Sequence, residues 1–175
     1  ESVRDTAAMI TPDDYFKQVA MGAKTTLGCS NLPGIDPEYT KEEIIQNLTN
    51  LAVNVIDKIK DKYPSMVITS CYRQNELNKA IKGDPSSQHR KGMAVDFVVP
   101  GRNTSEIFNW IVFESNINVW DQIIWEYPYR GASSWIHISY GDAQRKEKKI
   151  ALGSGGKGAI MRQTYGLTST YGFIE

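Results

Sequence analysis

One long amphipathic segment constrains the fold of this chain more than any other feature. It opens with Thr40-Lys41-Glu42-Glu43, a capping box in which the threonine hydroxyl and a glutamate carboxylate satisfy backbone amides at the start of a helix. Behind the box, apolar residues recur every three or four positions: Ile44, Ile45, Leu48, Leu51, Ala52, Val55, Ile56 and Ile59. This spacing predicts a helix with one buried stripe that ends at Tyr63-Pro64.

Four short apolar runs downstream of this helix predict strands. Residues 66–70 are rich in β-branched side chains, and residues 93–99 are apolar. Residues 122–126 and 135–139 both alternate, and a turn region rich in proline, glycine and serine separates them. The pair is typical of a β-hairpin within a sheet.

Shorter helices and one loop are expected elsewhere. Thr11-Pro12-Asp13-Asp14 has the residues of a helix start, and this first helix should end near Gly22. Residues 28–39 include Asn31, Pro33, Gly34 and Pro37, which favour a loop. Further short helices are predicted over residues 75–81 and 103–114. Helices and strands together predict an α+β fold, a small, mainly antiparallel sheet with helices packed on one side.

Length and composition indicate one soluble domain. The chain has 175 residues, of which 41% are hydrophobic and 23% charged, enough for one core and too few for two full domains. We expect a domain over residues 1–150 and a glycine-rich extension over 151–175 that docks on the domain or on a partner. The charge run at residues 145–149 is most often a solvated helix face.

Charge and hydropathy argue against a nucleic-acid partner, which becomes a minor hypothesis, and against a membrane span. Twenty basic and 20 acidic side chains cancel, so no field attracts the phosphates of a nucleic acid. No apolar run approaches the roughly 20 residues of a membrane span, and no export signal is seen at the N-terminus. Another agent must therefore deliver a protein that acts outside the cell. Cys29 and Cys71 lack metal-ligand spacing. The alternatives for this pair are a disulfide and two free thiols.

The two histidines lie in contexts that suit a metal ligand. His89 lies in a polar turn, and Asp96 follows seven residues later within an apolar strand. A lone buried carboxylate costs several kcal/mol, so Asp96 requires a cation, a metal or several hydrogen-bond donors. The small residues Gly92 and Ala94 leave space beside it.

The second histidine lies in a strand that alternates. Ile136 and Ile138 face one side, so His137 faces the other and projects into a cleft. Two imidazoles and one carboxylate form an open zinc site with a position left for water. The alternatives are a hydrogen-bonded, inert histidine and an aspartate that serves a turn or a cap.

The spacing of these residues resembles a known family. Ser-x-His-x-x-Gly-x-Ala-x-Asp at residues 87–96, followed by Trp-Ile-His-Ile-Ser, is similar to the M15 family of zinc D-Ala-D-Ala carboxypeptidases and related phage cell-wall endopeptidases. Other stretches that resemble the family follow in the same order, over roughly residues 13–150: Asn31-Leu32-Pro33, residues 68–73, Leu77-Asn78 and residues 121–126.

This resemblance implies a site. One Zn²⁺ would be bound by His89, Asp96 and His137. Arg73 would lie near the substrate, where a guanidinium could hold a carboxylate or the developing oxyanion, the alternative being a surface salt bridge. Gln88, beside the first ligand, is expected to bind substrate, although a polar turn residue needs no such role.

The general base is the point at which the sequence departs from its relatives. Several M15 enzymes carry an acid three residues before the last histidine, where this chain has Ser134, and others have a histidine at the position of Trp135. Glu126, at the end of a strand predicted to pair with that of the last histidine, is the expected base. The alternatives are that Glu126 only orients a ligand, or that Asp121 is the base.

The expected function is hydrolysis of peptide bonds in bacterial peptidoglycan by a zinc metallopeptidase, a D,D-carboxypeptidase or an endopeptidase. An endolysin released at lysis, or a hydrolase carried in a phage virion, would reach the cell wall without an export signal. A second hypothesis is a virion or tail component that binds the wall with weak or no catalysis and contacts virion proteins through residues 151–175. A third is a zinc-stabilised domain of signalling type that has lost catalysis.

Overall fold

The computed structural model describes residues 38–152 and 160–163. The helix start predicted at Thr11 and most of the loop at 28–39 lie outside the described residues, as does Cys29. No helix in the described part of the chain is long and apolar enough to cross a bilayer.

The predicted amphipathic helix is confirmed. Helix α1 (Lys41–Leu51) continues through a π-helical segment (Ala52–Ile56) into α2 (Asp57–Lys62). The capping box is complete, since the Thr40 amide donates to the Glu43 carboxylate at 2.7 Å and the Glu43 amide donates to the Thr40 hydroxyl at 3.1 Å. Ala52, Val55 and Ile56 are all 0% exposed, so the apolar stripe stays buried through the wider π-helical turns.

Two shorter helices also follow the prediction. Helix α3 spans Asn75–Ala80, and α4 spans Thr104–Asn109 and continues as a second π-helical segment over Trp110–Glu114. Two 3-10 helices (Gln88–Lys91 and Pro128–Ser133) precede β2 and β4 respectively.

Within the described residues, six strands form one sheet. They are β1 (Val67–Ser70), β2 (Ala94–Val98), β3 (Gln122–Glu126), β4 (Trp135–Ser139), β5 (Glu147–Leu152) and β6 (Ile160–Gln163). Their order across the sheet is β1-β2-β4-β3-β5-β6. All neighbours are antiparallel except β3 and β5, and β3 and β4 form the predicted hairpin. The predicted α+β fold with a mainly antiparallel sheet is therefore confirmed.

The charge run at residues 145–149 does not form the predicted helix. Its last three residues begin β5, which pairs in parallel with β3 from Gln122↔Glu147 to Glu126↔Ala151. The free edge of β3 offers unpaired backbone groups, and pairing with β5 satisfies them whatever the side-chain charge. β5 also crosses the expected domain boundary at residue 150, and β6 pairs with it, so the sheet extends into the segment expected to be an extension.

The two faces of the sheet differ in chemistry. One face packs against the helices through buried apolar side chains: Val95, Phe97, Ile123, Trp125, Ile136, Ile138 and Ile150. The other face carries the alternate residues, among them Asp96 and His137. In residues 38–152 and 160–163, helices therefore cover one side of the sheet, and Asp96 and His137 lie on the other, open side.

Gly92 fixes the approach of α1 to the segment that carries His89. Its φ is +74°, and a Cβ there would lie 3.0 Å from the Ile44 carbonyl oxygen and 3.1 Å from side-chain carbons of Ile44 and Leu48. The sequence predicts that the small residue Gly92 leaves space beside Asp96. In the structure, residues of α1 fill the space at Gly92. Gly101 also has a positive φ, of +81°, but a Cβ added there would meet nothing within 4 Å.

The pair of glycines gives a matched test of this packing. Gly101→Ala should cost about 1 kcal/mol, because alanine disfavours a left-handed conformation, and Gly92→Ala should cost about 1–3 kcal/mol more because α1 must shift. Urea unfolding of both variants measures the difference. Equal destabilisation of the two would contradict tight packing at Gly92.

Candidate metal centre

A row of paired residues runs across the open face of the sheet. Ser70 on β1 pairs with Asp96 on β2, and Asp96 pairs with His137 on β4. His137 pairs in turn with Ile124 on β3, and Ile124 pairs with Lys149 on β5. Because directly paired residues project from the same face, strand pairing alone brings Asp96 and His137 together.

His89 reaches the same place from the 3-10 helix before β2. The Ser87 hydroxyl accepts a hydrogen bond from the His89 amide at 3.2 Å and caps this turn. The His89 Nδ1 lies 2.8 Å from the Cys71 carbonyl oxygen. A carbonyl can only accept, so Nδ1 carries the hydrogen and Nε2 is left to face Asp96.

The three side chains form a compact group. Asp96 Oδ1 lies 3.2 Å from His89 Nε2 and 3.1 Å from His137 Nδ1. One ligand atom from each residue lies within 4.8 Å of the others, and the three residues are 2%, 5% and 8% exposed for His89, Asp96 and His137. This group could hold a metal ion.

The electrostatics of the group suit a cation. Burial lowers the pKa of His89 to about 4, although the Asp96 charge acts in the opposite direction, so His89 is neutral at pH 7. Burial alone would raise the pKa of Asp96, but the charge of His89 and the hydrogen bonds from both histidines hold it well below its ordinary value. Burial alone would lower the pKa of His137, but the hydrogen bond and the charge of Asp96 raise it above its ordinary value. An ionised Asp96 beside a neutral His89 is the protonation state that metal ligands require, and His137 must give up its proton when a metal binds.

Solvent reaches this group from one side. A cleft of about 410 Å³ is bordered by His137, Gln88 and Ile124, and Lys149 of β5 forms part of its wall. Of the three candidate ligands in the described part of the chain, only His137 borders this cleft. A metal held there by three protein ligands would keep a position for an exchangeable ligand, as in catalytic metal sites.

Glu126 lies beside the group at the end of β3. Its Oε1 is 3.9 Å from His137 Nδ1, and its side chain is 16% exposed. This position is compatible with a base near the metal and also with orientation of His137. Ser134 is buried, donates to the Gly131 carbonyl and accepts from Trp125 Nε1 at 3.2 Å, so its hydroxyl serves the turn before β4.

Arg73 is buried near the histidines rather than exposed on the surface. It is 9% exposed, its amide donates to the His89 carbonyl at 2.9 Å, and Nη1 donates to Asn78 Oδ1 at 3.3 Å. Burial is the largest influence that lowers the pKa of either histidine; the positive charge of Arg73 acts in the same direction, and Asp96 opposes both. A buried positive charge therefore lies close to the candidate metal site.

Gln88 and Asp121 are joined at the edge of the cleft. Gln88 Nε2 donates to Asp121 Oδ2 at 2.7 Å. The Arg145 guanidinium binds both oxygens of Asp121, Nε to Oδ1 at 2.7 Å and Nη2 to Oδ2 at 2.9 Å. The hydrogen bond from Arg145 lowers the pKa of Asp121 to about 2. Such a carboxylate is a weak proton acceptor, which favours Glu126 over Asp121 as a base.

Several features of the site carry no signal in the sequence pattern. The Cys71 carbonyl that orients His89 is a backbone group, so residue type does not indicate it. Arg145 and Lys149 border the cleft, whereas their charge run by itself predicts a solvated helix face. Recognition of the strand pairing between β3 and β5 would have been needed to find them.

An α+β domain with a buried His-Asp-His group on the open face of its sheet has the ligand set of a metallohydrolase. The sequence matches the family described as Peptidase M15 over residues 22–139, which is more than half of the chain. The chain therefore belongs to the peptidase M15 family, which agrees with the resemblance of its motifs. A search of curated proteins finds no match.

The ion pair of Asp121 predicts a pH dependence of stability. Because its pKa falls from 3.8 to about 2 on folding, Asp121 contributes stability that is complete above its unfolded pKa and is lost as the pH falls through about 2. Wild type should therefore lose about 1–2 kcal/mol more than Asp121→Asn between pH 5 and pH 2, with the half-exposed Arg145 limiting the effect.

Urea unfolding of both proteins across this pH range measures the difference, and Asp142→Asn, an exposed acid, serves as the control. A difference between wild type and Asp121→Asn that stays constant from pH 5 to pH 2 would contradict the lowered pKa.

Proposed function

We propose that this protein is a zinc-dependent peptidase that hydrolyses peptide bonds of bacterial peptidoglycan. The observation that carries the proposal is the buried group of His89, Asp96 and His137 beside an open cleft, in a chain of the peptidase M15 family. The resemblance of its motifs to D-Ala-D-Ala carboxypeptidases and phage cell-wall endopeptidases supports peptidoglycan as the substrate. It also supports a phage origin, with delivery by lysis or within a virion.

The donor set favours zinc. Two imidazole nitrogens and one carboxylate oxygen are common ligands of catalytic Zn²⁺, whereas Mg²⁺ and Ca²⁺ prefer sites built from oxygen. When bound, Zn²⁺ would polarise the scissile carbonyl and lower the pKa of the attacking water. The hydrogen bond from His89 Nδ1 to the Cys71 carbonyl holds the ring with Nε2 facing Asp96, where Nε2 would bind the ion.

The neighbouring residues supply the remaining chemistry. The Glu126 carboxylate takes the proton of the attacking water and returns it to the leaving amine. Arg73 stabilises the negative charge that develops on the carbonyl oxygen, because a buried guanidinium interacts strongly with an oxyanion. Gln88, held by Asp121 at the edge of the cleft, hydrogen-bonds the peptide backbone of the substrate.

Metal binding gives the first test. Wild type should bind one Zn²⁺ per chain, measured by equilibrium dialysis and elemental analysis. Loss of a residue that only hydrogen-bonds a metal ligand weakens metal affinity about tenfold to hundredfold, and Asp96→Asn should weaken the zinc affinity by more than this. Asp142→Asn, which alters an exposed acid, should bind as wild type does, and unchanged zinc affinity in Asp96→Asn would refute the assigned site.

Peptide release from purified sacculi gives the second test. Wild type should release peptides from Gram-negative or Gram-positive sacculi, and chelation or His137→Ala should abolish the release. Glu126→Gln should keep its zinc but lose about 10²–10⁴-fold in rate, because the general base is absent. Glu114→Gln, an exposed glutamate, is the matched control, and mass spectra of the fragments identify the bond.

Two outcomes would change the proposal. Full activity in Glu126→Gln would assign the base elsewhere. Zinc binding without release of peptides from any sacculus would favour the second hypothesis, a virion or tail component that binds the wall. The presence of Ser134 where several relatives have an acid also supports that hypothesis.

A further inference from the structure

Two cationic side chains form part of the cleft wall near His137, one just before β5 and one within it. Arg145 and Lys149 both border the cleft. Their acidic partners, Asp121 and Glu147, are not among the residues that border it in the described part of the chain. The cleft is therefore bordered by two cations, each held by an acidic neighbour. Glu147 projects from the same face of β5 as Lys149, and its Oε1 contacts both Arg145 and Lys149, at 3.3 and 3.5 Å.

The strand pairing relates Lys149 to the candidate metal site. Lys149 pairs with Ile124, which pairs with His137, so two strand spacings separate Lys149 from His137 on the same face. Two spacings correspond to about 10 Å between Cα atoms. An extended peptide advances about 3.3–3.6 Å per residue, so a group held by Lys149 would lie within about three residues of the scissile bond.

Lys149 is better placed than Arg145 to bind a ligand. The Arg145 guanidinium is engaged by both oxygens of Asp121. Lys149 Nζ forms an ion pair of 3.5 Å with Glu147 Oε1, an oxygen that also accepts from Gln122 at 3.1 Å. An ammonium has three donor hydrogens, and this side chain is 27% exposed, so it can bind an anion in the cleft while it keeps its contact with Glu147.

One acid lies among the residues that border the cleft. The carboxylate of Asp84 is exposed, and its Oδ1 accepts from the amide and hydroxyl of Ser86 at 2.8 and 2.7 Å. An exposed charge held in this way is screened by solvent, whereas Lys149 is half-buried. Among the side chains that border the cleft, Arg145 and Lys149 are therefore opposed by one solvent-screened acid.

We infer that Lys149 is the centre of a carboxylate-binding subsite, which gives this peptidase a preference for acidic peptides. The inference rests on the proposed function and specifies its substrate as a peptide with a free carboxylate within about three residues of the scissile bond. Lys149 lies beyond residue 139, where the family match ends, so the subsite is a feature of the part of this chain that the match does not include.

Binding of matched peptides tests the inference without turnover. The full chain with Glu126→Gln is titrated with two end-blocked alanine peptides that differ in one residue, glutamate or glutamine, placed one to three positions from the central bond. At low salt the glutamate form should bind about tenfold more tightly, and the preference should fall as salt is added.

Substitutions then assign the preference to one residue. Lys149→Met in the same background should reduce the preference to less than about twofold, and Lys149→Arg should keep it. Lys148→Met is the matched control, because Lys148 pairs with Ile123 and lies on the opposite face. Thermal unfolding of each variant verifies that it is folded, and Lys149→Arg preserves the test if Lys149→Met fails to fold.

The outcomes distinguish this inference from the proposed function. An acid preference that survives Lys149→Met, or equal binding of both peptides in the parent, overturns the subsite even if sacculi are cleaved. An acid preference that depends on Lys149, in a protein that cleaves no sacculus, keeps the subsite and refutes the peptidase.

Discussion

The carboxylate of Asp96 is buried between two imidazole rings, and the rest of the site depends on this arrangement. Removing an ionised carboxylate from water costs several kcal/mol, so the fold must supply partners at hydrogen-bond distance. Strand β4 supplies His137 through direct pairing, and the 3-10 helix before β2 supplies His89. The sheet register, the cap at Ser87 and the packing of α1 on Gly92 all hold these three side chains in place. A slip of one residue between β2 and β4 would turn one ligand toward the core.

The parts of the fold that depend on local patterns could be predicted from the sequence. The capping box at Thr40 and the apolar stripe behind it specify a helix, and alternation around His137 specifies which side of β4 faces the helices. The candidate ligands could also be predicted, because an acid within an apolar strand and two histidines in all are rare enough to stand out. Their meeting in space then follows from antiparallel pairing of β2 with β4.

The parts that depend on long-range pairing could not be predicted. Strand β5 lacks the alternation of apolar and polar residues that marks a strand, because lysines occupy two successive positions on opposite faces. The strand is specified instead by the open edge of β3. The ion pair of Asp121 with Arg145 follows from that pairing, so the sequence left Asp121 open as a base. The orientation of His89 by a backbone carbonyl is independent of residue type at position 71.

The parallel pairing of β3 with β5 also determines where this chain can be cut. The family match ends at the last residue of β4, but β3 lies between β4 and β5 in the sheet. A fragment that stops at residue 139 would retain all three candidate ligands and yet expose the full backbone edge of β3. Such an edge is a template for another strand, so this fragment would tend to self-associate or aggregate. Expression boundaries for this protein are therefore better placed by strand order than by the limits of sequence similarity.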